Sequence, residues 1–223
     1  MNAIVEESRR HLGDLIEACQ RCAWHLNATA ARIDWPVTAT ALSQRQMDLA
    51  LFEPLAAVNE RFAKLQDLLG TTMRHLCELC GERTDTFLRA LAFCEKTGII
   101  ASADAWHACR SLRNRAAHDY GNDFSLTAAH VNALHEQIPD LTAVTLALAG
   151  YAKKSLGIEP GDPRFAEALA RGVGGSGVIA SIFAARDRQK SCVPFYTLRR
   201  KGTPCGVVHP QRTLEPFHLR PTR

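Results

Sequence analysis

No stretch of this 223-residue chain approaches the ~18 consecutive apolar residues that a membrane-spanning helix requires. The first residues, MNAIVEESRRHL, reach a charged side chain by position 6, unlike the apolar segment of a secretory signal. Hydrophobic residues make up 46% of the chain and charged residues 22%, a balance that excludes wholesale disorder. We therefore expect a globular protein of the cytoplasm that does not associate with a membrane.

The chain also lacks a convincing strand in its first 155 residues, where apolar residues recur at intervals of three and four. This spacing predicts an all-α fold, with helices over 3–33, from 43 onward, over 84–97, over 102–120 and over 126–154. Pro54 is expected to kink or restart the second helix, and Gly70 and Gly81 to bracket a short one. The last segment is either one helix or a pair broken near Pro139. The helix that Ser102 caps is expected to face the core with Ala105, Cys109, Leu112 and Ala116.

Metal-ligating patterns are weak despite eight cysteines. Two C-x-x-C pairs, Cys19/Cys22 and Cys77/Cys80, have the half-site spacing of structural zinc. Both pairs lie inside predicted helices without the turn residues of a zinc knuckle, which favours cysteines packed in the core. We predict no metal site and no cofactor. The histidines of the other helices are expected at surface or capping positions: His11, His25, His75, His107, His130 and His135.

Composition changes beyond residue 155. Residues 156–185 form a Gly-rich linker with short helices, one of which begins after Asp162-Pro163. Gly172 to Gly177 satisfies G-x-G-x-x-G, but no predicted strand precedes it, so the dinucleotide-binding interpretation fails. Residues 186–223 carry nine Lys or Arg against two acids and five of the ten prolines. This basic extension is predicted to be disordered. It is either a solvated tail without a role of its own or a segment that contacts phosphate backbones without sequence preference.

One string on a predicted helix carries a combination suited to phosphodiester chemistry, Arg113-Asn114-x-x-x-His118-x-Tyr120. Arginine presents a planar cationic fork to phosphate, and imidazole can move a proton near neutral pH. At ~100° per residue, Arg113 and His118 point about 140° apart, whereas Tyr120 lies on the arginine's side. Either the helix ends near residue 117 or two chains share one pocket across a two-fold axis. The plainer alternative is a helix C-terminus with favourable cations and a turn-anchoring tyrosine.

The string resembles the R-x4-H-x-Y signature of the HEPN superfamily, in its HepT-like branch. The preceding segment is similar as well, with a helix, a Gly-Ile-Ile turn and a Trp-bearing helix in ALAFCEKTGIIASADAWHACRSLRNRAAHDYGND. The resemblance covers about residues 1–155 and is best from residue 60 onward. It implies an antiparallel HEPN-like helical bundle over 1–155.

The resemblance further implies a metal-independent endoribonuclease, usually the toxin of a toxin–antitoxin pair, acting as a homodimer. His118 would be the general acid or base, Arg113 would hold the scissile phosphate, and Asn114 would orient them. Cleavage through the ribose 2′-hydroxyl would be specific for RNA. In similar toxins the tyrosine that matches Tyr120 is adenylylated by a minimal nucleotidyltransferase antitoxin, which implies a silenced state here.

Two other functions stay open. Some members of the family keep the fold and serve as noncatalytic partners or substrate-binding subunits of a minimal nucleotidyltransferase. A weaker alternative is a nucleic-acid-binding adaptor that acts through residues 186–223.

Overall fold

The computed structural model describes residues 3–116 and 123–175, with side chains described over 3–113 and 123–172. All regular structure in this part of the chain is helical, which confirms the all-α prediction. Its helices are α1 (Ala3–Ala30), α2 (Ala39–Gln44), α3 (Leu49–Leu79), α4 (Phe87–Lys96), α5 (Ala103–Ala116), α6 (Phe124–Leu156) and α7 (Arg164–Gly175). None of these helices is long and apolar enough to cross a membrane.

Helix α1 runs antiparallel to both α3 and α6. The His75 ring, near the end of α3, lies 2.9 Å from the Ser8 carbonyl oxygen near the start of α1. Arg61, in the first half of α3, donates a hydrogen bond to Thr29 near the end of α1. The core between these helices is apolar, with the largest fully buried side chains including Phe62, Leu12, Ile16, Leu26, Leu65, Leu69, Met73 and Leu134. Burial of this continuous apolar surface is the main favourable contribution to folding.

Helix α3 does not end at Gly70, so the predicted short helix between Gly70 and Gly81 is wrong. Leu69 and Met73, on either side of Gly70, are fully buried, and one continuous helix keeps both on the core face. A Cβ at Gly70 would stand 3.7 Å from a ring carbon of Phe87 and 3.9 Å from one of Trp106, so the glycine leaves room for two rings rather than ending the helix. Gly81, at φ 76°, follows the true end of α3.

The starts of several helices also differ from the predictions. A short α2 precedes α3, which begins at Leu49 rather than near residue 43 and continues through Pro54. Pro54 lies in the second turn of α3, where its missing N–H removes one bond of the helical ladder without ending the helix. Helix α6 is one helix that contains Pro139, not a pair.

Helix α5 begins as predicted, and the face that it was expected to turn to the core is confirmed in part. The Ser102 hydroxyl accepts a hydrogen bond from the Ala105 backbone amide at 3.0 Å, which confirms the cap. Trp106 and Cys109 are buried, whereas Ala105 is exposed. Leu112 packs against the core as predicted, and the Ala116 side chain lies outside the described part. Only the first position of the stripe differs: Trp106 is buried in place of Ala105, because the large indole gains more from burial than an alanine methyl group does.

The segment after α6 packs back onto α1. The backbone amide of Asp162 donates to the Glu17 carboxylate at 3.1 Å, and Ile158 and Leu169 join the core. Asp162 accepts from the Arg164 amide at the start of α7, as predicted for this short helix. The first four residues of the G-x-G-x-x-G string, 172–175, form the end of α7, whereas its last two residues and the extension 186–223 lie outside the described residues.

Candidate functional site

Arg113 lies near the end of α5 and forms a two-pronged ion pair with Asp67 of α3. Its Nη1 donates to Asp67 Oδ1 at 2.6 Å, and its Nη2 donates to Oδ2 at 2.7 Å. The arginine side chain is 30% exposed and the carboxylate 55% exposed. The same guanidinium geometry suits a phosphate, so the Asp67 carboxylate occupies the position that a phosphate ligand of Arg113 would take.

The pair lies at the wall of a groove of about 380 Å³ between α1, α3, α4 and α5. Its volume falls within the range of small-molecule sites, roughly 300–1,000 Å³. The groove has mixed charge with an excess of cations: Arg74, Arg110 and Arg113 face it together with the carboxylates of Asp67 and Glu78. Arg74 lies over the Phe87 ring, with 5.0 Å between the guanidinium carbon and the ring centroid.

Two imidazoles, one from α1 and one from α3, also line the groove. His11 and His75 contact edge to face, with ring centroids 5.0 Å apart. His75 also approaches Glu78, with 3.5 Å between Nδ1 and Oε2. Its two nitrogens are therefore engaged, Nε2 with the Ser8 carbonyl and Nδ1 with Glu78. His11 is exposed and is the imidazole better placed to meet a ligand.

Two buried polar groups line the same groove without full hydrogen bonding. Gln66 and Trp106 are 3% and 5% exposed. Apart from the neighbouring Cys109 thiol, the Gln66 amide has no hydrogen-bond partner among the described residues, and neither has the Trp106 indole nitrogen. Burial raises the pKa of that thiol to about 11, and Gln66 opposes the shift. Such unmet groups are uncommon in protein interiors and are more often tolerated at binding sites.

Of the predicted site residues, the structure describes Arg113 in full. Asn114 lies in the last turn of α5, and its side chain is outside the described part. His118 and Tyr120 lie outside the described residues, so their distances to Arg113 stay predictions.

The residues that surround Arg113 in the fold were not among the predicted site residues. Arg110 precedes Arg113 by three positions on α5, a spacing that places both on one helix face and that could have revealed it. No local pattern links Arg113 to Asp67, His11 or His75, because these residues meet only when α1, α3 and α5 pack together.

The cysteines behave as core residues in the described part of the chain. Cys19, Cys77, Cys94 and Cys109 are buried, and burial raises the pKa of the Cys19 thiol to about 12. Within the same residues, no cluster of three His, Cys, Asp or Glu side chains could hold a metal ion.

Comparisons with protein-family models, curated proteins and solved structures find no match for this chain. The chemistry assigned to the groove therefore depends on its own side chains.

Proposed function

We propose that this protein is a metal-independent endoribonuclease, in which Arg113 holds the scissile phosphate and His118 transfers the proton. The observation that carries the proposal is the Arg113 guanidinium, which faces a groove with two further arginines. The sequence string from Arg113 to Tyr120, similar to the HEPN signature, supplies the second argument.

In this mechanism one imidazole removes the proton of the ribose 2′-hydroxyl, which attacks the adjacent phosphorus. The bond from phosphorus to the 5′-oxygen breaks while that oxygen takes up a proton from a general acid, so that a 2′,3′-cyclic phosphate remains on one product and a 5′-hydroxyl on the other. Arg113 stabilises the negative charge that grows on the phosphate oxygens, and Asn114 orients the reacting groups. The proposal includes a homodimer in which one chain supplies Arg113 and the other His118, because a straight helix would point the two apart.

The proposed biological setting is a toxin–antitoxin pair. A minimal nucleotidyltransferase would transfer AMP from ATP to the Tyr120 hydroxyl, with release of pyrophosphate, and would so add bulk and negative charge beside the site. The added phosphate would compete with RNA for Arg113. Intact mass measurement of the protein, produced with and without such a nucleotidyltransferase, tests this step through the mass of one adenylyl group.

One observation favours a second candidate, a noncatalytic partner of a nucleotidyltransferase. Asp67 neutralises Arg113 through two short hydrogen bonds, so in this arrangement the guanidinium is not free to bind a phosphate. A nuclease has to exchange this carboxylate for the RNA phosphate, whereas a binding partner does not.

The test is expression of the chain without any neighbouring gene, followed by measurement of growth and RNA integrity. Wild type is compared with Arg113→Ala, His118→Ala and Arg171→Ala. Arg171 is a matched control because it is exposed on α7 and pairs only with Glu167 among the described residues. We expect growth arrest and RNA cleavage for wild type and Arg171→Ala, and neither effect for the other two.

Purified protein gives the chemical part of the test. Cleavage should persist with a chelator, should leave a cyclic phosphate end and should spare DNA of the same sequence. A soluble, unmodified wild-type protein that arrests no growth and cleaves no RNA would instead support the noncatalytic partner.

A further inference from the structure

Arg74 and Arg110 are two exposed cations of the groove that the proposed cleavage does not use. Both face the groove that contains Arg113. Among the described residues neither forms an ion pair, in contrast to Arg113 with its Asp67 partner. Two unneutralised guanidinium groups at one groove raise its affinity for anions, and phosphate matches their planar fork.

The packing of this groove positions the two arginines. Arg74 rests on the Phe87 ring, which limits the freedom of its guanidinium group. Arg110 and Arg113 lie one turn apart on α5, so their side chains leave the same helix face. A nucleic-acid strand could therefore place one phosphate against Arg113 and a neighbouring phosphate against Arg74 and Arg110.

Two further features indicate a ligand site rather than a solvated cluster of charge. The indole N–H of Trp106, at least nine-tenths buried, has no acceptor among the residues that the structure describes. The exposed His11 imidazole of α1 lines the same groove and adds a further group that can donate to an anion. Ordinary surface arginines have no such surroundings.

We propose that Arg74 and Arg110 form a phosphate subsite beside Arg113. Its ligand is a phosphate ester, and the subsite would hold the phosphate next to the scissile one in a single RNA strand. The identification of the ligand as an RNA strand rests on the proposed function, whereas the inference that the site binds a phosphate ester does not. Asp67 is the internal competitor for Arg113, so its removal should strengthen the binding of the same strand.

The experiment measures binding by the full chain of three probes, namely inorganic phosphate, AMP and a short 2′-O-methyl RNA that lacks the attacking hydroxyl. Wild type is compared with Arg74→Gln, Arg110→Gln and Asp67→Asn, and with Arg171→Gln as control. Glutamine keeps helix propensity, and both groove arginines are exposed, so the variants should fold. All variants retain residues 186–223, so differences between them report on the groove rather than on the basic extension.

We expect Arg74→Gln and Arg110→Gln each to weaken binding of the oligonucleotide about tenfold and to lower its salt dependence by about one counterion. Asp67→Asn should tighten binding several-fold, and Arg171→Gln should leave it unchanged. Weak binding of AMP and phosphate beside strong binding of the oligonucleotide identifies an RNA strand as the source. If AMP binding depends on both arginines as strongly as oligonucleotide binding does, the ligand is a free phosphate ester rather than an RNA strand, and the subsite is still supported.

Two results would overturn the proposal. One is that Arg74→Gln and Arg110→Gln bind all three probes as Arg171→Gln does, and the other is that wild type binds none of them. The cleavage assay separates this outcome from the proposed function. Binding that depends on the two arginines, without any RNA cleavage, would contradict the proposed nuclease and support the subsite. RNA cleavage that is unchanged in Arg74→Gln and Arg110→Gln would support the nuclease and contradict the subsite.

Discussion

The buried amide of Gln66 should lower the stability of the protein. Burial removes its water, and among the described residues only a weakly bonding thiol replaces it. An unsatisfied buried polar group costs roughly 1–3 kcal/mol. We therefore expect Gln66→Met, which has a similar shape, to raise the free energy of unfolding by about 1 kcal/mol, measured by urea denaturation.

Thr145→Val is the control for that prediction. Thr145 is 1% exposed, and its hydroxyl donates to the Leu141 carbonyl oxygen at 2.8 Å. Because this polar group is satisfied, its replacement should bring no comparable gain. A Gln66→Met protein that is less stable than wild type would show that the amide has a structural role.

His135 should make stability depend on pH. Its ring stacks on Trp35, with centroids 4.1 Å apart, and burial lowers its pKa despite the opposing charge of Glu136. An unfolded imidazole binds a proton at about pH 6.5. The folded one binds it only at lower pH, so the unfolded chain holds more protons in this window and acidification favours unfolding.

The check is His135→Phe, which keeps an aromatic ring on Trp35 and removes the titration. From about pH 7 to about pH 5, the free energy of unfolding should fall less for His135→Phe than for wild type. Equal slopes for the two proteins would assign the pH dependence to other groups.

At the site, sequence could predict the residue type and position of Arg113 but not its neighbours. The Arg-to-Tyr spacing draws attention to this part of the chain because the chemistry of the side chains is local information. Asp67 is 46 positions away, and only the packing of α3 against α5 brings its carboxylate to the guanidinium. The same holds for His11 and His75, which are ordinary surface positions until α1 and α3 pair.

At the scale of helices, the spacing of apolar residues predicted which segments are helical better than single glycines and prolines predicted where each helix begins or ends. The apolar spacing of α3 continues through Gly70, and the energy of that buried face outweighs the roughly 1 kcal/mol that a glycine costs in a helix. Gly70 was expected to mark a helix end, whereas in the structure it leaves space for the Phe87 and Trp106 rings. Gly98, with φ 75°, follows the end of α4, which agrees with the helix predicted over 84–97.

Two helical glycines should respond in opposite ways to substitution by alanine. Gly150 is exposed in α6, and a Cβ there would meet nothing within 4 Å, so Gly150→Ala should stabilise by about 0.5–1 kcal/mol. A Cβ at Gly13 of α1 would come within 3.1 Å of the Glu159 carbonyl oxygen. Gly13→Ala should therefore push the segment before α7 away and destabilise by about 1–3 kcal/mol.

Thermal unfolding of both alanine variants and of wild type measures these two changes in stability. Because the intrinsic helix preference of the substitution is the same, their difference isolates the contact between α1 and the segment after α6. Equal stabilisation of both proteins would mean that this segment does not pack closely on Gly13.

At the scale of the whole molecule, charge is divided between two regions. Residues 1–185 carry more acids than bases, whereas 186–223 carry nine Lys or Arg against two acids. The arginine-bearing groove is thus a local basic site on a chain whose first 185 residues are slightly acidic. If the protein binds RNA as proposed, both the groove and the extension would attract the strand, so the salt dependence of binding would be a property of both.

The proposed homodimer predicts that two inactive variants restore activity when their chains are combined. If Arg113 of one chain and His118 of the other form each site, Arg113→Ala and His118→Ala proteins are inactive alone but form one intact site when paired. A mixture refolded together should contain heterodimers as half of its molecules, each with one working site of two, and should recover about one quarter of wild-type cleavage. Sedimentation of the wild type should show the mass of two chains. A mixture as inactive as its components would place both residues of each site in one chain, with the helix ending before His118.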